Sequence, residues 1–177
     1  MSKSKSPAFK VALAAIIAAM YAALTYAQGI LLPGTTTAAI QFRASEALCV
    51  LALFTPAAIP GLTIGCVIAN IYSIGQGLPL DMIFGSVASL LAALFMYLLR
   101  NVKIRNYPFP AMLMPALFNG IIVGWEIEFF FVEGPFHFSD FIIQGGYVAI
   151  GELAVMFTLG TLLYYVIVKR KLDEKLL

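Results

Sequence analysis

Long apolar stretches separated by short polar segments make up most of this chain. Three stretches contain no Asp, Glu, Lys or Arg, namely 11–27, 82–99 and 106–125. Residues 44–80 and 141–168 contain one such residue each, Glu46 and Glu152. Each stretch is long enough for a helix that crosses a bilayer, which needs about 17–25 residues. Pro56, Pro60 and Gly61 interrupt the 44–80 stretch near its middle, so it predicts two short helices joined by a turn.

The pattern predicts an all-α membrane protein with six transmembrane helices, forming a single integral membrane domain over residues 1–177. The approximate helices are 9–27, 43–56, 60–76, 80–99, 109–130 and 141–168. The predicted external connections are 28–42, a short turn near 77–79, and 131–140. A bundle of this kind buries its polar groups between helices, because lipid offers them no hydrogen bonds.

The basic residues test the division into six helices. Ten of the eleven lie in three clusters, before the first helix, between the fourth and fifth, and after the sixth: Lys3, Lys5 and Lys10; Arg100, Lys103 and Arg105; Lys169, Arg170, Lys171 and Lys175. If 44–80 contains two helices, all three clusters lie on one side of the membrane, as the positive-inside rule requires. The sequence therefore predicts a multi-pass membrane protein with both termini in the cytoplasm.

Composition and motifs exclude other classes of protein. Hydrophobic residues make up 62% of the chain, against about half in soluble domains. A GxxxxGK[ST] phosphate loop and a GxSxG elbow are absent, and a single histidine, His137, excludes multi-histidine metal sites. An enzyme, a bound metal or cofactor, and nucleic-acid binding are therefore not expected. Cys49 and Cys66 lie in apolar runs and are expected to be reduced core residues.

Nearly all polar residues within the predicted helices lie in their outer halves. Asn119 and Glu126 are seven residues apart and share a helical face, whereas Glu128 is expected to point away as a solvated helix end. A pore or proton relay would need polar groups through the full depth of the membrane. The pattern instead predicts a cup open to the outside, lined by one cation and four acids: Arg43 with Glu46, Asp81, Glu126 and Glu152, besides Asn70 and Asn119. Such a lining favours a ligand rich in hydrogen-bond donors, or a cation.

Several of these residues have a second interpretation. Arg43 and Glu46 share a helical face at a spacing of three, so they form either a mutual ion pair or a ligand-contacting pair. Asp81 either lines the cup or caps the fourth helix. Aromatic faces for a flat ring, or simple packing, are expected from Trp125, Tyr72, Tyr147 and Phe118.

The first helix carries alanine at every fourth position in two registers, Ala14, Ala18 and Ala22, and Ala15, Ala19 and Ala23. Small residues at this spacing let another helix approach closely. The track therefore indicates either packing within the chain or docking of a partner helix.

Several local strings of the chain are distinctive. The run from Ile40 to Leu48 contains QFR-x-SEAL, and further strings are Thr55–Leu62 continuing to Gly65-Cys66 and Ala69-Asn70, then Asp81–Ser86, Phe118-Asn119-Gly120 and Gly151-Glu152-Leu153. With six predicted helices, an alanine-rich first helix and an outward-facing cup, the chain resembles the S components of energy-coupling factor (ECF) transporters, and these strings resemble more narrowly the queuosine-precursor family QueT.

The resemblance implies a substrate-binding subunit that captures its solute outside the cell and works with an ECF T subunit and two cytoplasmic ATPase subunits. It implies that Ala14, Ala18 and Ala22 contact the T subunit, although the choice between the two alanine registers stays open, and that residues 28–42 gate the site. The implied solute is a 7-deazaguanine such as preQ1, preQ0 or queuine.

A guanine-type edge presents adjacent N–H donors, and a carboxylate can accept two of them side by side. Glu126 or Glu152 is the candidate acceptor, with Asn70 and Asn119 completing the edge, and Arg43 or Gln41 donating to the ring carbonyl. The surplus of carboxylates favours the aminomethyl cation of preQ1 over the nitrile of preQ0. Two alternatives remain: an S component for another flat vitamin or nucleobase, and a self-sufficient transporter or channel without ATPase partners.

Overall fold

The computed structural model describes residues 6–35, 42–75 and 80–173, with the backbone alone for residues 72–75. Over these ranges the chain forms six helices and no strand: α1 Pro7–Leu31, α2 Ala44–Leu53, α3 Ala58–Gly75, α4 Asp81–Leu98, α5 Phe109–Phe131 and α6 Phe138–Lys169. The prediction of an all-helical protein is confirmed. Four of the helices, α1, α4, α5 and α6, are long and apolar enough to cross a membrane.

Helix α1 is longer than predicted at its C-terminal end. Ser6 caps its start by accepting a hydrogen bond from the Phe9 backbone N–H, and Pro7 occupies the first turn, where its missing N–H costs nothing. The helix continues to Leu31, so the first residues of the predicted 28–42 connection are helical. Residues 36–41 of that connection and the predicted turn at 77–79 lie outside the described residues.

Helix α2 differs most from the prediction. A membrane helix over 43–56 was expected, but α2 covers only Ala44–Leu53 and has 3₁₀ geometry. Because a 3₁₀ helix rises about 2.0 Å per residue against 1.5 Å in an α-helix, these ten residues extend about as far as thirteen in α-helical form. Eight of the ten are buried, so α2 is a central element of the bundle rather than a lipid-facing helix.

Helices α5 and α6 are long because each continues through a π-helical turn. In α5 a break at Leu113 separates Phe109–Met112 from Met114–Glu126, and the π turn Ile127–Phe131 follows. In α6 the π turn Met156–Gly160 joins Phe138–Val155 to Thr161–Lys169. π turns insert an extra residue into a helix and are frequent at functional sites.

The two helices meet at glycines. A Cβ atom on Gly124 would lie 2.5 Å from the Gly145 Cα atom and 2.8 Å from its backbone nitrogen, whereas a Cβ atom on Gly146 would have nothing within 4 Å. We expect Gly124→Ala to force α5 and α6 apart and to lower the free energy of unfolding by about 1–3 kcal/mol, the usual cost of overpacking. Thermal unfolding in detergent measures this, with Gly146→Ala as the matched control. Equal unfolding temperatures for the two variants would contradict the close crossing.

The helices alternate in direction, which gives the bundle two different ends. At one end, the start of α1 and the ends of α4 and α6 lie on the same side as the α2–α3 turn and the α4–α5 connection. The described basic residues other than the buried Arg43 lie at this end: Lys10, Arg100, Lys103, Arg105, Lys169, Arg170 and Lys171. We call this the basic end. The main apolar core, which includes Ile17, Leu62, Met96, Met112 and Met156, adjoins it. At the opposite end, the polar end, the helices bury polar side chains instead.

Candidate functional site

A buried ion pair joins the segment before α2 to the start of α4. Arg43 Nη2 donates to Asp81 Oδ2 at 2.6 Å, and the two side chains are only 6% and 4% exposed. Asn70 on α3 completes the group, because its Oδ1 accepts from Arg43 Nη1 at 3.3 Å and its Nδ2 donates to the Asp81 backbone carbonyl at 2.7 Å. The pair therefore ties three segments together at the polar end. We call Arg43, Asn70 and Asp81 the arginine cluster.

Of the two interpretations of Arg43 and Glu46, the mutual ion pair is not found, because the ion pair of Arg43 is with Asp81. Arg43 has an extended backbone and lies just before α2, so the helical spacing that would align it with Glu46 does not apply. Its partner is Asp81, which occupies the first helical position of α4, whereas Leu80 occupies the capping position and makes no side-chain cap. The carboxylate of Asp81 thus bonds to Arg43 as part of the polar lining.

Glu46 belongs to a second group, centred on α1 and α2. The Tyr21 hydroxyl donates to Glu46 Oε1, and Cys49 Sγ donates to Glu46 Oε2 at 3.2 Å. One turn further along α1, Thr25 Oγ1 lies 2.8 Å from Ser45 Oγ. Tyr21 and Thr25 were not predicted as site residues, because the alanine pattern around them indicated packing. Both could have been found from the sequence, since each is a polar side chain within an apolar helix.

Gln28 holds the backbone on both sides of Arg43. Its Oε1 accepts from the Ala44 N–H at 2.8 Å, and its Nε2 donates to the Phe42 carbonyl and to Thr35 Oγ1. A side chain that binds the residue before and the residue after Arg43 limits the directions in which the guanidinium can point. Gln28 therefore positions Arg43 through the backbone on either side of it.

We expect Gln28→Ala to weaken solute binding by about tenfold. The loss of these hydrogen bonds should destabilise the binding-competent position of the Arg43 backbone by on the order of 1–2 kcal/mol. Gln28→Glu keeps the acceptor for Ala44 but replaces the donor to Phe42, so it should rescue at most part of the loss. Binding affinity of the purified variants measures the effect. Wild-type affinity in Gln28→Ala would show that the segment holds Arg43 in place without this side chain.

Two buried carboxylates complete the polar end. Glu126 near the end of the α-helical part of α5 is 1% exposed, and neither of its oxygens has a hydrogen-bond partner in the described part of the chain. Glu152 on α6 is 3% exposed, and its Oε2 likewise has no such partner there. Asp81 and Arg43 act electrostatically on Glu126, and Glu46 and Arg43 act on Glu152, so both acids are within electrostatic range of the arginine cluster. Buried carboxylate oxygens without donors are costly and mark a position where a donor is needed.

Glu128 was expected to be a solvated helix end, and this prediction is wrong. It is 2% exposed, and its Oε1 accepts from the His137 backbone N–H at 3.1 Å. The π turn ends α5, and the chain then doubles back to start α6 at Phe138, which encloses the carboxylate. Glu128 therefore anchors the α5–α6 connection.

Asn119, Trp125 and Phe118 have hydrogen-bond or ring partners outside the arginine cluster. Asn119 is buried, as its shared face with Glu126 predicted, but its Nδ2 donates within α5 to the Pro115 carbonyl at 3.0 Å. Trp125 is 37% exposed and stacks on Phe129 with ring centroids 4.9 Å apart. Tyr147 is also exposed, and Phe118 packs on Phe95. The indole of Trp125 thus lies on the outer surface, where tryptophans anchor helices at membrane interfaces; the side chain of Tyr72 and the whole of Gln41 lie outside the described residues.

The two alanine registers of α1 have different surroundings. Ala18 and Ala22 are buried and Ala14 is half-buried, since this register faces α3, where a Cβ on Gly65 would lie 2.9 Å from the Ala18 carbonyl. Ala15, Ala19 and Ala23 are exposed. The register of Ala14, Ala18 and Ala22 therefore packs largely against α3, and Ala14 and Ala18 also line a surface groove together with Ala15. Docking of a partner by this register stays a prediction.

The chemistry of the site can be described over the residues that the structure covers. No group of three or more His, Cys, Asp or Glu side chains there could hold a metal ion. What the polar end combines is one guanidinium, buried amides and carboxylates with unused acceptor oxygens. Groups of these kinds are able to bind a polar solute through hydrogen bonds and charge.

Comparison with known proteins identifies the family. The model of the QueT transporter family matches residues 11–169. The queuosine precursor transporter QueT of Lactococcus lactis subsp. cremoris (strain MG1363) is 31% identical over 160 residues, covering 89% of this chain and 90% of that protein. No solved structure matches the chain. The chain belongs to the QueT transporter family and is a multi-pass membrane transporter, not an enzyme.

Proposed function

We propose that this protein is the substrate-binding S component of an ECF-type transporter that imports a queuosine precursor, a 7-deazaguanine. The Lactococcus relative is a queuosine precursor transporter, and the similarity to it extends over most of both chains. The basic end faces the cytoplasm under the positive-inside rule, which places the polar end outside. A polar cluster at the outer end, above an apolar core, suits capture of a solute better than conduction through the chain.

The buried, unpartnered carboxylate of Glu126 is the observation that carries the solute assignment. In a guanine-type ring the ring N–H and the exocyclic amine lie side by side, so one carboxylate accepts from both. Glu126 is proposed for this role because both of its oxygens are available among the described residues. Glu152, with one such oxygen, is proposed to bind a second donor of the solute.

The arginine cluster is proposed to bind the ring carbonyl. The contact between Arg43 Nη1 and Asn70 Oδ1, at 3.3 Å, is longer than the usual 2.7–2.9 Å of a charge-assisted hydrogen bond, so the carbonyl oxygen can replace it at low cost. Asp81 accepts from the other guanidinium nitrogen, Nη2. Glu46 accepts from the Tyr21 hydroxyl and so connects α2 to α1 beside the cluster. Gln41 and Asn119 are proposed as further contacts, and Trp125 as a residue of the rim.

The surplus of acids favours a cationic solute. Three acids, Glu46, Glu126 and Glu152, interact electrostatically with Arg43. Arg43 is the one described cation of the polar end, and Asp81 already forms an ion pair with it. We expect preQ1, whose aminomethyl group is a cation, to bind more tightly than preQ0, whose nitrile is neutral. Calorimetry at neutral pH compares them directly, and equal affinities would remove the basis for this preference.

Transport is proposed to require an ECF T subunit and two ATPase subunits, with docking through the exposed face of α1. Ala19→Trp places a bulky side chain in the accessible alanine register, and Ile150→Trp places it on an exposed position of α6 as the matched control. We expect Ala19→Trp to abolish uptake while solute binding by the isolated chain persists, and Ile150→Trp to retain both.

Uptake of radiolabelled preQ1 in a heterologous host tests the partner requirement. Accumulation should need co-expression of the T and ATPase subunits and should fail when the ATPases cannot hydrolyse ATP. Concentrative uptake by the chain alone would assign it instead to a self-sufficient class of transporter.

A further inference from the structure

A polar cavity lies at the basic end of the bundle, away from the arginine cluster. Its volume is about 280 Å³, and it lies where the end of α2, the α4–α5 connection and the end of α6 meet. Its polar lining is Arg100, Asn101 and Lys103 of the α4–α5 connection and Asp173 after α6, and its apolar lining is Leu53, Phe54, Pro108, Tyr164 and Val168. A volume near the lower limit of about 300 Å³ for small-molecule pockets suits a head group rather than a large solute.

The cationic side of this cavity is held in a defined geometry. The connection turns back in a two-residue hairpin, in which Ile104 and Tyr107 exchange backbone hydrogen bonds at 2.8 and 3.0 Å and Arg105 and Asn106 have positive φ. The Tyr107 hydroxyl lies 2.6 Å from Thr161 Oγ1, which attaches the hairpin to α6. Burial there raises the pKa of Tyr107, so the phenol stays neutral and keeps this bond.

Arg100 is also oriented before any ligand binds. Its Nη1 donates to the Tyr97 carbonyl at 2.6 Å, and its guanidinium carbon lies 3.9 Å from the centre of the Tyr97 ring. Over residues 6–35, 42–75 and 80–173, neither Arg100 nor Lys103 has a carboxylate within ion-pair distance. Two cations therefore share one cavity with a single described acid, Asp173, that pairs with neither.

We propose that this cavity binds the phosphate group of an anionic phospholipid, with Arg100 and Lys103 as its cationic ligands. Guanidinium and ammonium groups are the side chains that bind phosphate, and Arg100 has nitrogens left to donate. Leu53, Phe54 and Val168 form an apolar wall for the glycerol and the first acyl carbons. Basic pockets between membrane helices are known binding sites for anionic lipid head groups. This site is separate from the proposed solute site and does not depend on the identity of the solute.

The test uses the full chain in neutral detergent, titrated with phosphatidylglycerol, phosphatidylcholine or inorganic phosphate. Native mass spectrometry measures retained lipid, and the unfolding temperature gives a second readout. Each cation near a lipid surface contributes about fivefold in affinity, so Arg100→Gln with Lys103→Gln should weaken phosphatidylglycerol binding by about 25-fold. The control pair, Arg105→Gln with Lys169→Gln, removes the same charge at positions that do not line the cavity.

Asp173→Asn should raise the affinity for phosphatidylglycerol severalfold, the opposite of the cation substitutions, because it removes the negative charge from the cavity. Lys103→Gln alone, at an exposed position, keeps the test usable if the double variant does not fold. Equal losses in the cavity and control pairs, or equal retention of phosphatidylcholine by the wild type, would overturn the proposal. An equal response to inorganic phosphate would overturn the assignment to lipid. Unchanged lipid binding with lost co-purification of the ATPase subunits would assign the two cations to a protein contact instead.

Discussion

Arg43→Ala is expected to lower the free energy of unfolding by about 3–5 kcal/mol, because it leaves the Asp81 carboxylate buried without its cation. Asp81 is 3% exposed, and the bond between the two side chains is the one ion pair found in the described ranges. The same substitution should abolish solute binding, since it removes the donor proposed for the ring carbonyl. Thermal unfolding in detergent and calorimetric binding measure the two effects separately.

A double-mutant cycle gives the control. Asp81→Asn alone should also destabilise the protein, whereas Arg43→Ala with Asp81→Asn removes both charges and should cost less than the sum of the single changes. Binding should stay lost in the double variant. Additive losses of stability would contradict the ion pair, and normal binding by a destabilised Arg43→Ala variant would make Arg43 a structural residue only.

Glu126→Gln is expected to weaken solute binding on the order of 100-fold or more with little loss of stability. Hydrogen bonds to a charged group contribute about 1.5–3 kcal/mol each, and the carboxylate is proposed to accept two. An amide of the same shape offers one acceptor and places its NH₂ group against a donor of the solute. The free protein loses no described hydrogen bond, because neither oxygen of Glu126 has a partner there. Calorimetry with preQ1 measures the loss.

Two matched changes show whether the effect belongs to this carboxylate. Glu128→Gln alters a buried acid two residues away that holds the His137 N–H, and Glu133→Gln alters an exposed acid in the following connection. Both should bind preQ1 as the wild type does. A similar loss in Glu128→Gln would mean that burial of any acid near the end of α5, rather than contact by Glu126, governs affinity.

Hydropathy predicts the long helices well because it measures the length of each run of consecutive apolar residues. The predicted 80–99 and 109–130 lie within two residues of the observed α4 and α5 at each end. The same signal cannot distinguish 3.0 from 3.6 residues per turn within ten mostly buried residues, so the 3₁₀ geometry of α2 was missed. Nor does it register π turns, which α5 and α6 accommodate without a change in composition.

The candidate site was predictable as a set of residues but not as a set of contacts. Arg43, Asn70 and Asp81 stood out because lipid-facing segments do not retain such groups without partners. Their pairing depends on where α2 starts: Arg43 is extended, so Asp81 on α4 becomes its partner and Glu46 turns to Tyr21. Glu128 was misplaced for a related reason, since helical periodicity describes the helix alone and not the returning chain that covers it.

The most direct measurement is calorimetric titration of the detergent-purified chain alone with preQ1, preQ0, queuine, guanine and riboflavin. The account predicts tight, one-to-one binding of a 7-deazaguanine, much weaker binding of guanine, and no binding of riboflavin, all without partner subunits. Failure of every deazaguanine to bind protein that is demonstrably folded would contradict it and would redirect the polar end to another solute.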